Sequence, residues 1–576
     1  MVDPPAPGTD LAQAVGQLVL VFAAEEVGGR ALQHGYMRGL LGKRRNHRCC
    51  GGTGADEARA IAVDPAGNVF LVGSFAGAVD FDTGSSSVEL VSAGSTDIFI
   101  LKLDADGRFV WAKGIGGTGT DEARALTLDS TGQIFMAGSF SGQVDFDPGA
   151  GIRTLGAAGS NDLFLLKLDG DAGLQWVTVV GGAEHEQINA IAVDGADDVY
   201  VAGVFRGVVD FDGTAEIQML ASAGGADGFV AKFGSAGALG WVSALGGAGD
   251  DAATALAVSA SGVTVAGRFH GAADFDPGVG TAALTSAGEH DGFVVRLDAN
   301  GGYVWSRQLG GSGSDEVQAV VLDAAGAVYL LGAFRGTVDL DPGAGTANAT
   351  APEGSEDTFL LKLTATGDYG WSKSWGGSAD DRGHGLAVDA AGEIYAVGAF
   401  GGTLDFDPGA GVATRASAGG TDAYVVKLTG AGEIGLDTNV PMVAAVTRQS
   451  PLEAAVVNSS VAYQVSFTRN VSGVDAADFT LTTSGGLTGA IGEVTAVDAT
   501  QYVVTVKNLT GSGTLRLDVK GSGTGIVDGS ANALGAGYTS GESYTAGAAT
   551  TQPVISSAVN AAGLYGSAFS YAVTAS

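Results

Sequence analysis

Residues 51–117 read GGTGADEARAIAVDPAGNVFLVGSFAGAVDFDTGSSSVELVSAGSTDIFILKLDADGRFVWAKGIGG. The same order of features returns every 64 to 66 residues: a glycine doublet, an acidic step and four short apolar runs. An array of this kind is built from one supersecondary unit, and its copies must pack on each other because no copy can bury its own faces. The repeat therefore decides the architecture. The doublets begin at Gly51, Gly116, Gly181, Gly246, Gly310 and Gly376.

The four apolar runs of each copy predict β-strands, because they are rich in Val, Ile, Phe and Tyr and bounded by Gly, Asp or Asn. The second and third runs are apolar at consecutive positions, as in residues 199–202 and 359–361. That pattern is typical of strands covered on both faces. Six such copies predict a closed ring of sheets, a β-propeller. An open solenoid is the competing arrangement, but it needs polar end caps, and the sequence shows none.

Four motifs of the repeat carry a family resemblance. They are Ala-x-Ala-x-Asp, Gly-x-(Val/Ile)-(Phe/Tyr), Asp-x-Phe-(Val/Leu)-x-Lys-Leu and Trp-x-x-x-x-Gly-Gly. In this order they resemble the bacterial SBBP β-propeller repeat and, more distantly, the NHL propeller repeat, from about Gly51 to Leu428. The resemblance implies a propeller but no particular reaction.

The number of blades is the open point of this prediction. The sixth copy has no Trp and no glycine doublet after Leu428, and the matching position ahead of the first copy is Asn46. The strand that should close the ring is therefore poorly marked. We predict six blades, with a seventh lost from the N-terminus as the alternative. The fourth strand is marked in the other copies by Trp111, Trp176, Trp241, Trp305 and Trp371.

We predict an all-β chain of four segments. Residues 1–50 fit nothing downstream and are expected to be disordered, and residues 51–438 form the propeller of six repeats. Residues 441–546 form an Ig-like β-sandwich, because about seven half-buried strand patterns occupy them. They contain two stretches that resemble bacterial Ig-like modules of large surface proteins. Residues 551–576 resemble the truncated start of another Ig-like module, so we expect the natural polypeptide to be longer.

Composition excludes several functions. The formal net charge of −34 argues against binding to nucleic acid or to anionic lipid, since both need clustered Lys and Arg. Cys49 and Cys50 are adjacent and predict no disulfide framework. The apolar stretch at 18–24 is too short to span a membrane, and no positive charge precedes it as in a secretory signal. We expect a monomer without membrane insertion.

The sharpest candidate for chemistry is an Asp-x-Asp step in every copy. Residues two apart in an extended chain point to the same side, so the two carboxylates could hold Ca²⁺ together with backbone carbonyls. The competing reading is that they cap turns by accepting backbone N–H groups. No other cofactor is expected. The candidate calcium ligands are Asp80, Asp82, Asp145, Asp147, Asp210, Asp212, Asp274, Asp276, Asp339, Asp341, Asp405 and Asp407.

No catalytic residue is predicted. Two further acidic positions recur, one before the third strand (Asp97 in the first copy) and one after the doublet (Asp56). Recurrence in every copy argues for a structural role, because an active site needs one set of groups. The chain has no Gly-x-Ser-x-Gly, no His-Glu-x-x-His and no P-loop. The Trp of the fourth strand is expected to pack between blades rather than to serve as a sugar platform.

Two functions remain. The first is a non-enzymatic extracellular or cell-surface protein whose propeller binds a protein or glycan ligand and whose Ig-like modules act as spacers. Loops that differ between copies favour it: Arg206 and Arg335 stand where other copies have Ala76, Ser141 and Gly401. The second is a secreted propeller enzyme, a polysaccharide lyase or glycosidase, which needs a non-repeated acid and base at the ring centre. A purely structural stalk is a weaker third hypothesis.

Overall fold

The computed structural model describes residues 51–546 except 53, 83–85, 214–216, 409–412, 434–440, 452–454, 457–459, 522, 530–532 and 536. The described chain is nearly all β. It divides into two compact units, and the boundary falls between Gly435 and Leu436. The predictions for residues 1–50 and 551–576 lie outside the described residues. Within the described ranges, no helix has the length and apolar character needed to cross a membrane.

The first unit consists of the repeats, and its sheets are antiparallel. The first two repeats contain β1 (Gly51–Gly52), β2 (Glu57–Val63), β3 (Val69–Phe75), β4 (Ala78–Asp80), β5 (Glu89–Val91), β6 (Asp97–Leu103), β7 (Phe109–Gly117), β8 (Glu122–Leu128), β9 (Ile134–Phe140), β10 (Gln143–Asp145), β11 (Thr154–Gly156), β12 (Asp162–Leu168) and β13 (Leu174–Gly182). The third and fourth contain β14 (Gln187–Val193), β15 (Val199–Asp210), β16 (Met219–Phe233), β17 (Leu239–Gly247), β18 (Ala252–Ser259), β19 (Gly262–Phe269), β20 (Ala272–Asp274), β21 (Ala283–Thr285), β22 (Asp291–Leu297) and β23 (Tyr303–Gly311). The fifth and sixth contain β24 (Glu316–Leu322), β25 (Val328–Arg335), β26 (Thr337–Asp339), β27 (Asn348–Thr350), β28 (Glu356–Leu363), β29 (Tyr369–Trp375), β30 (Arg382–Val388), β31 (Ile394–Asp405) and β32 (Thr414–Leu428).

In the first five repeats the four predicted apolar runs pair side by side in chain order, as in β2-β3-β6-β7 and β24-β25-β28-β29. The sixth repeat has three described strands, β30-β31-β32. The position that its fourth strand would take after β32 falls at 434–440, outside the described residues. We call β2, β8, β14, β18, β24 and β30 the first strands. Each first strand hydrogen-bonds to the second strand of its own repeat and lies at the edge of its sheet.

The hydrophobic core lies between successive sheets. One buried cluster contains Phe70 of the first repeat with Phe140 and Phe164 of the second, and four further clusters join each later repeat to the next. The Trp of the fourth strand belongs to this packing: Trp176 Nε1 donates a hydrogen bond to the Ser235 carbonyl of the following repeat, at 3.0 Å. Neighbouring repeats therefore supply the cover that no single sheet can give itself.

The glycine doublets link one repeat to the next. The fourth strand β7 continues through its doublet, where Gly116 pairs with Asp145 and Gly117 pairs with Val144 on β10 of the next repeat. A Cβ on Gly116 would lie 2.2 Å from Cγ of Asp97, whose side chain is buried. The doublet is glycine because a buried carboxylate occupies the space of a side chain.

We predict that Gly116→Ala destabilises the first unit. The added methyl overlaps the Asp97 carboxylate, and overpacking of this kind costs about 1–3 kcal/mol. Thermal unfolding followed by circular dichroism measures the change. Gly195→Ala is the control, because nothing lies within 4 Å of a Cβ built there. Equal melting temperatures for the two variants would contradict this account of the doublet.

The second unit contains two four-stranded sheets over one core. The sheets are β33-β35-β39-β38 and β34-β42-β40-β37, and their shared cluster includes Tyr463, Leu517 and Tyr544. A single turn of 3-10 helix, Ala476–Asp478, precedes β37. The strands are β33 (Val443–Ser450), β34 (Ala455–Val456), β35 (Val461–Phe467), β36 (Val471–Ser472), β37 (Phe479–Thr483), β38 (Thr488–Ala496), β39 (Gln501–Thr510), β40 (Gly513–Val519), β41 (Val527–Asp528) and β42 (Ser543–Ala546).

Candidate functional site

The six first strands line one cavity of about 1210 Å³ in the first unit. Consecutive residues of these strands, such as 187–193, form its wall. Because each first strand is paired along one edge only, its other edge offers backbone N–H and C=O groups to the cavity. A small residue recurs at one level of the wall and keeps the cavity wide. These small residues are Ala60, Ala125, Ala190, Ala255, Ala319 and Gly385.

Each first strand has a β-bulge directly before this small residue. A bulge leaves one residue out of the ladder and re-aims its side chain. All six residues at this position line the cavity, and we call them the bulge residues. The residue type at this position differs between the copies, with five types in six copies. The bulge residues are Arg59, Arg124, Asn189, Thr254, Gln318 and His384.

On one side of the cavity the bulge residues tie adjacent repeats together. Asn189 Nδ2 donates a hydrogen bond to the Ala253 carbonyl on the next first strand, at 2.8 Å. Thr254 Oγ1 donates to the Val317 carbonyl on the strand after that. These two side chains are held by the fold.

Ion pairs at the same level also cross from one repeat to the next. Arg206 Nη2 lies 3.1 Å from Asp250 Oδ1, and Arg268 Nη1 lies 3.3 Å from Glu316 Oε2. Arg335, which sequence comparison of the copies singled out together with Arg206, contacts Asp380 of the sixth repeat at 3.3 Å. These variable arginines, which lie on β15, β19 and β25, therefore join repeats in addition to facing solvent.

Arg59 and Arg124 differ from Arg206, Arg268 and Arg335, which we call the inter-repeat arginines. Each pairs with the Glu two residues before it on its own strand: Arg59 Nη2 with Glu57 at 2.8 Å, and Arg124 Nη2 with Glu122 at 3.0 Å. Both Nε atoms are buried without a hydrogen-bond partner. Burial lowers the pKa of the Arg124 guanidinium, and burial raises the pKa of Glu57. Arg59 and Arg124 line the cavity, and Glu57 and Glu122, whose side chains are 32% and 23% exposed, pair with them. We call these four incompletely hydrogen-bonded side chains the β2–β8 sector.

Each Asp-x-Asp step begins at the last residue of a strand, such as Asp145 of β10, and continues into the loop that follows. In every copy Oδ1 of the first Asp accepts two backbone hydrogen bonds, for example from Asp147 at 3.2 Å and Arg153 at 2.7 Å to Asp145. In the part of the chain that the structure describes, no three His, Cys, Asp or Glu side chains are grouped as metal ligands.

The calcium hypothesis stays a prediction: Ca²⁺ titrated into chelator-treated protein should release or absorb heat and raise the melting temperature.

Most of the other recurring acids are buried beside the glycine doublets, whereas Asp56 of the first copy is exposed. Asp121 accepts hydrogen bonds from the Gly117 and Ser141 amides, and Asp97 accepts one from Ala93. A Cβ on Gly246 would lie 2.6 Å from Asp251 Oδ2 and 3.1 Å from Asp227 Cγ, so two carboxylates converge on that point. In four of these buried acids, one carboxylate oxygen has no hydrogen-bond partner: Asp97, Glu186, Asp227 and Asp357.

Burial raises the pKa of these acids above their ordinary values, and in most of the pairs the second carboxylate adds to the effect. The pKa of Asp121 and of Asp227 rises to about 6, and that of Glu186, Asp315 and Asp357 to about 7. In the unfolded chain these groups titrate near pH 4. The folded state therefore prefers their protonated form. The stability that this preference contributes is complete below about pH 4 and is lost as the pH rises through about 6 to 7.

We predict that the melting temperature is higher at pH 5 than at pH 8. His290 has the opposite effect on the pH dependence of stability, because burial lowers its pKa. It is a single group, whereas at least five buried acids have a raised pKa. Asp357→Asn should weaken the pH dependence, since Asn stays neutral at both pH values. Asp171→Asn removes the same charge from an exposed site and should leave the pH dependence unchanged. A melting temperature that rises from pH 5 to pH 8 would contradict the prediction.

The similarity to known proteins is partial. No family model matches the chain. It is 26% identical over 363 residues to the regulatory protein FlaEY of Caulobacter vibrioides, which covers 59% of this chain and 36% of that protein. It is 26% identical over 185 residues to an uncharacterized WD repeat-containing protein, L264, of Acanthamoeba polyphaga mimivirus, over 30% of this chain and 13% of that protein.

Among the solved structures that align with the chain is a protein of unknown function from Bacteroides caccae, over 58% of this chain and 88% of that chain. The TM-score is 0.29 and the identity is 9%, so the alignment does not bear on the function. The chain spans about a third of the length of FlaEY and a smaller share of L264. The similarity is to parts of longer proteins.

Proposed function

We propose that the chain is a non-enzymatic extracellular or cell-surface binding protein of the adhesion type. In this proposal the first unit is a six-bladed β-propeller that acts as the binding head, and the second unit is an Ig-like β-sandwich that acts as a spacer. The propeller is supported by six repeats whose first strands share one cavity. The sandwich is supported by two sheets that enclose a common core.

The single observation that carries a binding role is the set of bulge residues. The fold does not require one residue type at an equivalent position that differs in sequence between the repeats. Such a position is therefore free to carry the side chains that recognise a ligand. The six bulge residues all face a cavity that exceeds the 300–1,000 Å³ of typical small-molecule sites. We propose that a protein or glycan ligand inserts part of its surface there. We do not propose a nucleic-acid ligand, because a net charge of −34 opposes contact with phosphate groups.

The names of the relatives fit this proposal. WD repeats form the blades of β-propellers, and L264 is described as a WD repeat-containing protein. FlaEY is described as a regulatory protein, which is a role that a binding head can serve.

The experiment exposes the full chain to a glycan array and to a panel of hydrolase and lyase substrates. We expect stable binding without turnover. Gln318→Trp should abolish the binding, because Gln318 is a bulge residue and the larger side chain fills the cavity. Gln143→Trp, on an exposed position of β10, is the control and should bind as the parent does.

Turnover of a polysaccharide without stable binding would contradict the proposal and favour the lyase or glycosidase hypothesis. A protein ligand is tested by the same pair of variants with surface-immobilised chain. Equal binding by Gln318→Trp and Gln143→Trp would show that the ligand does not use the cavity.

A further inference from the structure

We infer that the β2–β8 sector of the cavity binds neighbouring hydroxyl groups of an uncharged saccharide segment. The inference rests on the proposed function and names the ligand chemistry of that site. It concerns four side chains: Glu57, Arg59, Glu122 and Arg124.

The ion pairs of these four side chains lie within single strands. The inter-repeat arginines Arg206 and Arg268 form ion pairs with carboxylates of the following repeat. Arg59 and Arg124 instead pair within their own strands. The other bulge residues with described ties, Asn189 and Thr254, hydrogen-bond to the next strand. The ion pairs of the β2–β8 sector therefore lie within single repeats, while the electrostatic attraction between Glu57 and Arg124 crosses from β2 to β8.

The sector also has unused hydrogen-bonding capacity. A guanidinium carries five N–H donors, and its ion pair with the neighbouring Glu uses the Nη2 end in both arginines. The Arg side chains are 30% and 25% exposed, and this exposure lies outside their Nε atoms, which are buried without a partner. Partly desolvated charged groups that lack hydrogen bonds are costly. A ligand that supplies acceptors to the arginines and donors to the glutamates offsets this cost.

Hydroxyl groups fit this requirement better than ions do. The sector has two cations and two anions, so its formal charge is zero, and donors and acceptors alternate along each strand. Each hydroxyl donates one hydrogen bond and accepts others, so adjacent hydroxyls can contact an Arg and its Glu at once. An anionic ligand would meet Glu57 and Glu122, and a cationic ligand would meet the two arginines.

The remainder of the wall fits a saccharide chain. Alanine and glycine at the level after the bulges leave room near the strands, and the open strand edges add backbone donors and acceptors. A volume of about 1210 Å³ accommodates several sugar units rather than one small molecule.

The test measures binding of the full chain to neutral and anionic oligosaccharides by calorimetry. The neutral probes are cello-, manno- and β-1,3-gluco-oligosaccharides together with neutral members of the glycan array, and the anionic probes are oligogalacturonate and sulfated dextran. We expect a neutral probe to bind. Its affinity should change by less than about twofold between about 0.05 M and about 0.5 M NaCl, because salt screens charges and not hydroxyl contacts.

Two double variants test whether the ligand binds at the β2–β8 sector. Arg59→Met/Arg124→Met should weaken the binding about tenfold or more, since hydrogen bonds to charged groups are lost. Glu57→Gln/Glu122→Gln should also weaken it several-fold, because the charged acceptors for the ligand hydroxyls are lost. An anionic ligand would instead bind more tightly to the second variant, whose arginines are released from their glutamates. Arg108→Met is the control, since that exposed side chain pairs with Asp104 outside the cavity.

Three results with the saccharide probes would overturn the inference. They are binding of anionic probes only, binding that strengthens in Glu57→Gln/Glu122→Gln, and parental affinity for a neutral probe in Arg59→Met/Arg124→Met. Binding of a protein ligand with no neutral glycan bound would also overturn it, while leaving the proposed binding function in place. Turnover without stable binding would overturn the proposed function itself, so the two failures are distinguishable.

Discussion

The structure of the first unit depends on one constraint: the sheets of successive repeats bury a shared apolar core between them. Phe135 of the second repeat and Phe205 of the third lie in one buried cluster, with Trp176 packed against it. A repeat removed from the array would expose these aromatic rings. Because the sheets stack face to face, their first strands come to the same place and enclose the cavity. The site is therefore a consequence of how the core is buried.

The constraint separates two kinds of residue. Positions that recur in every copy serve the interfaces: the doublet glycines leave space for buried carboxylates, and those carboxylates accept backbone N–H groups. Positions that differ between copies include the bulges and the arginines at 206, 268 and 335. Some of the variable residues also stabilise the fold: Asn189 and Thr254 hydrogen-bond to the next repeat, and the inter-repeat ion pairs join neighbouring repeats. What remains for a ligand is the smaller set around Arg59 and Arg124.

The sequence was sufficient to predict the strands and the all-β class, since apolar runs between turn residues repeat in register. It was not sufficient to find the bulge residues, because a bulge is a property of pairing between strands. Aligning the copies would have shown that the position of Arg59 varies, but not that it faces a cavity. Nor could the sequence show that the oxygens of Asp145 accept backbone hydrogen bonds, because that depends on how the loop closes. The fourth strand of the sixth repeat lies outside the described residues.

The most direct test of the account measures whether the repeats surround a common axis. Spin labels are placed on cysteines substituted for Ala66, Thr131, Ala196 and Ala391, which are equivalent exposed turn residues, with Cys49 and Cys50 replaced by Ser. Pulsed electron paramagnetic resonance then gives the distances from position 66. The account predicts that position 391 of the sixth repeat is about as near as position 131 of the second, and that both are nearer than position 196. Distances that increase steadily from 131 to 196 to 391 would contradict it.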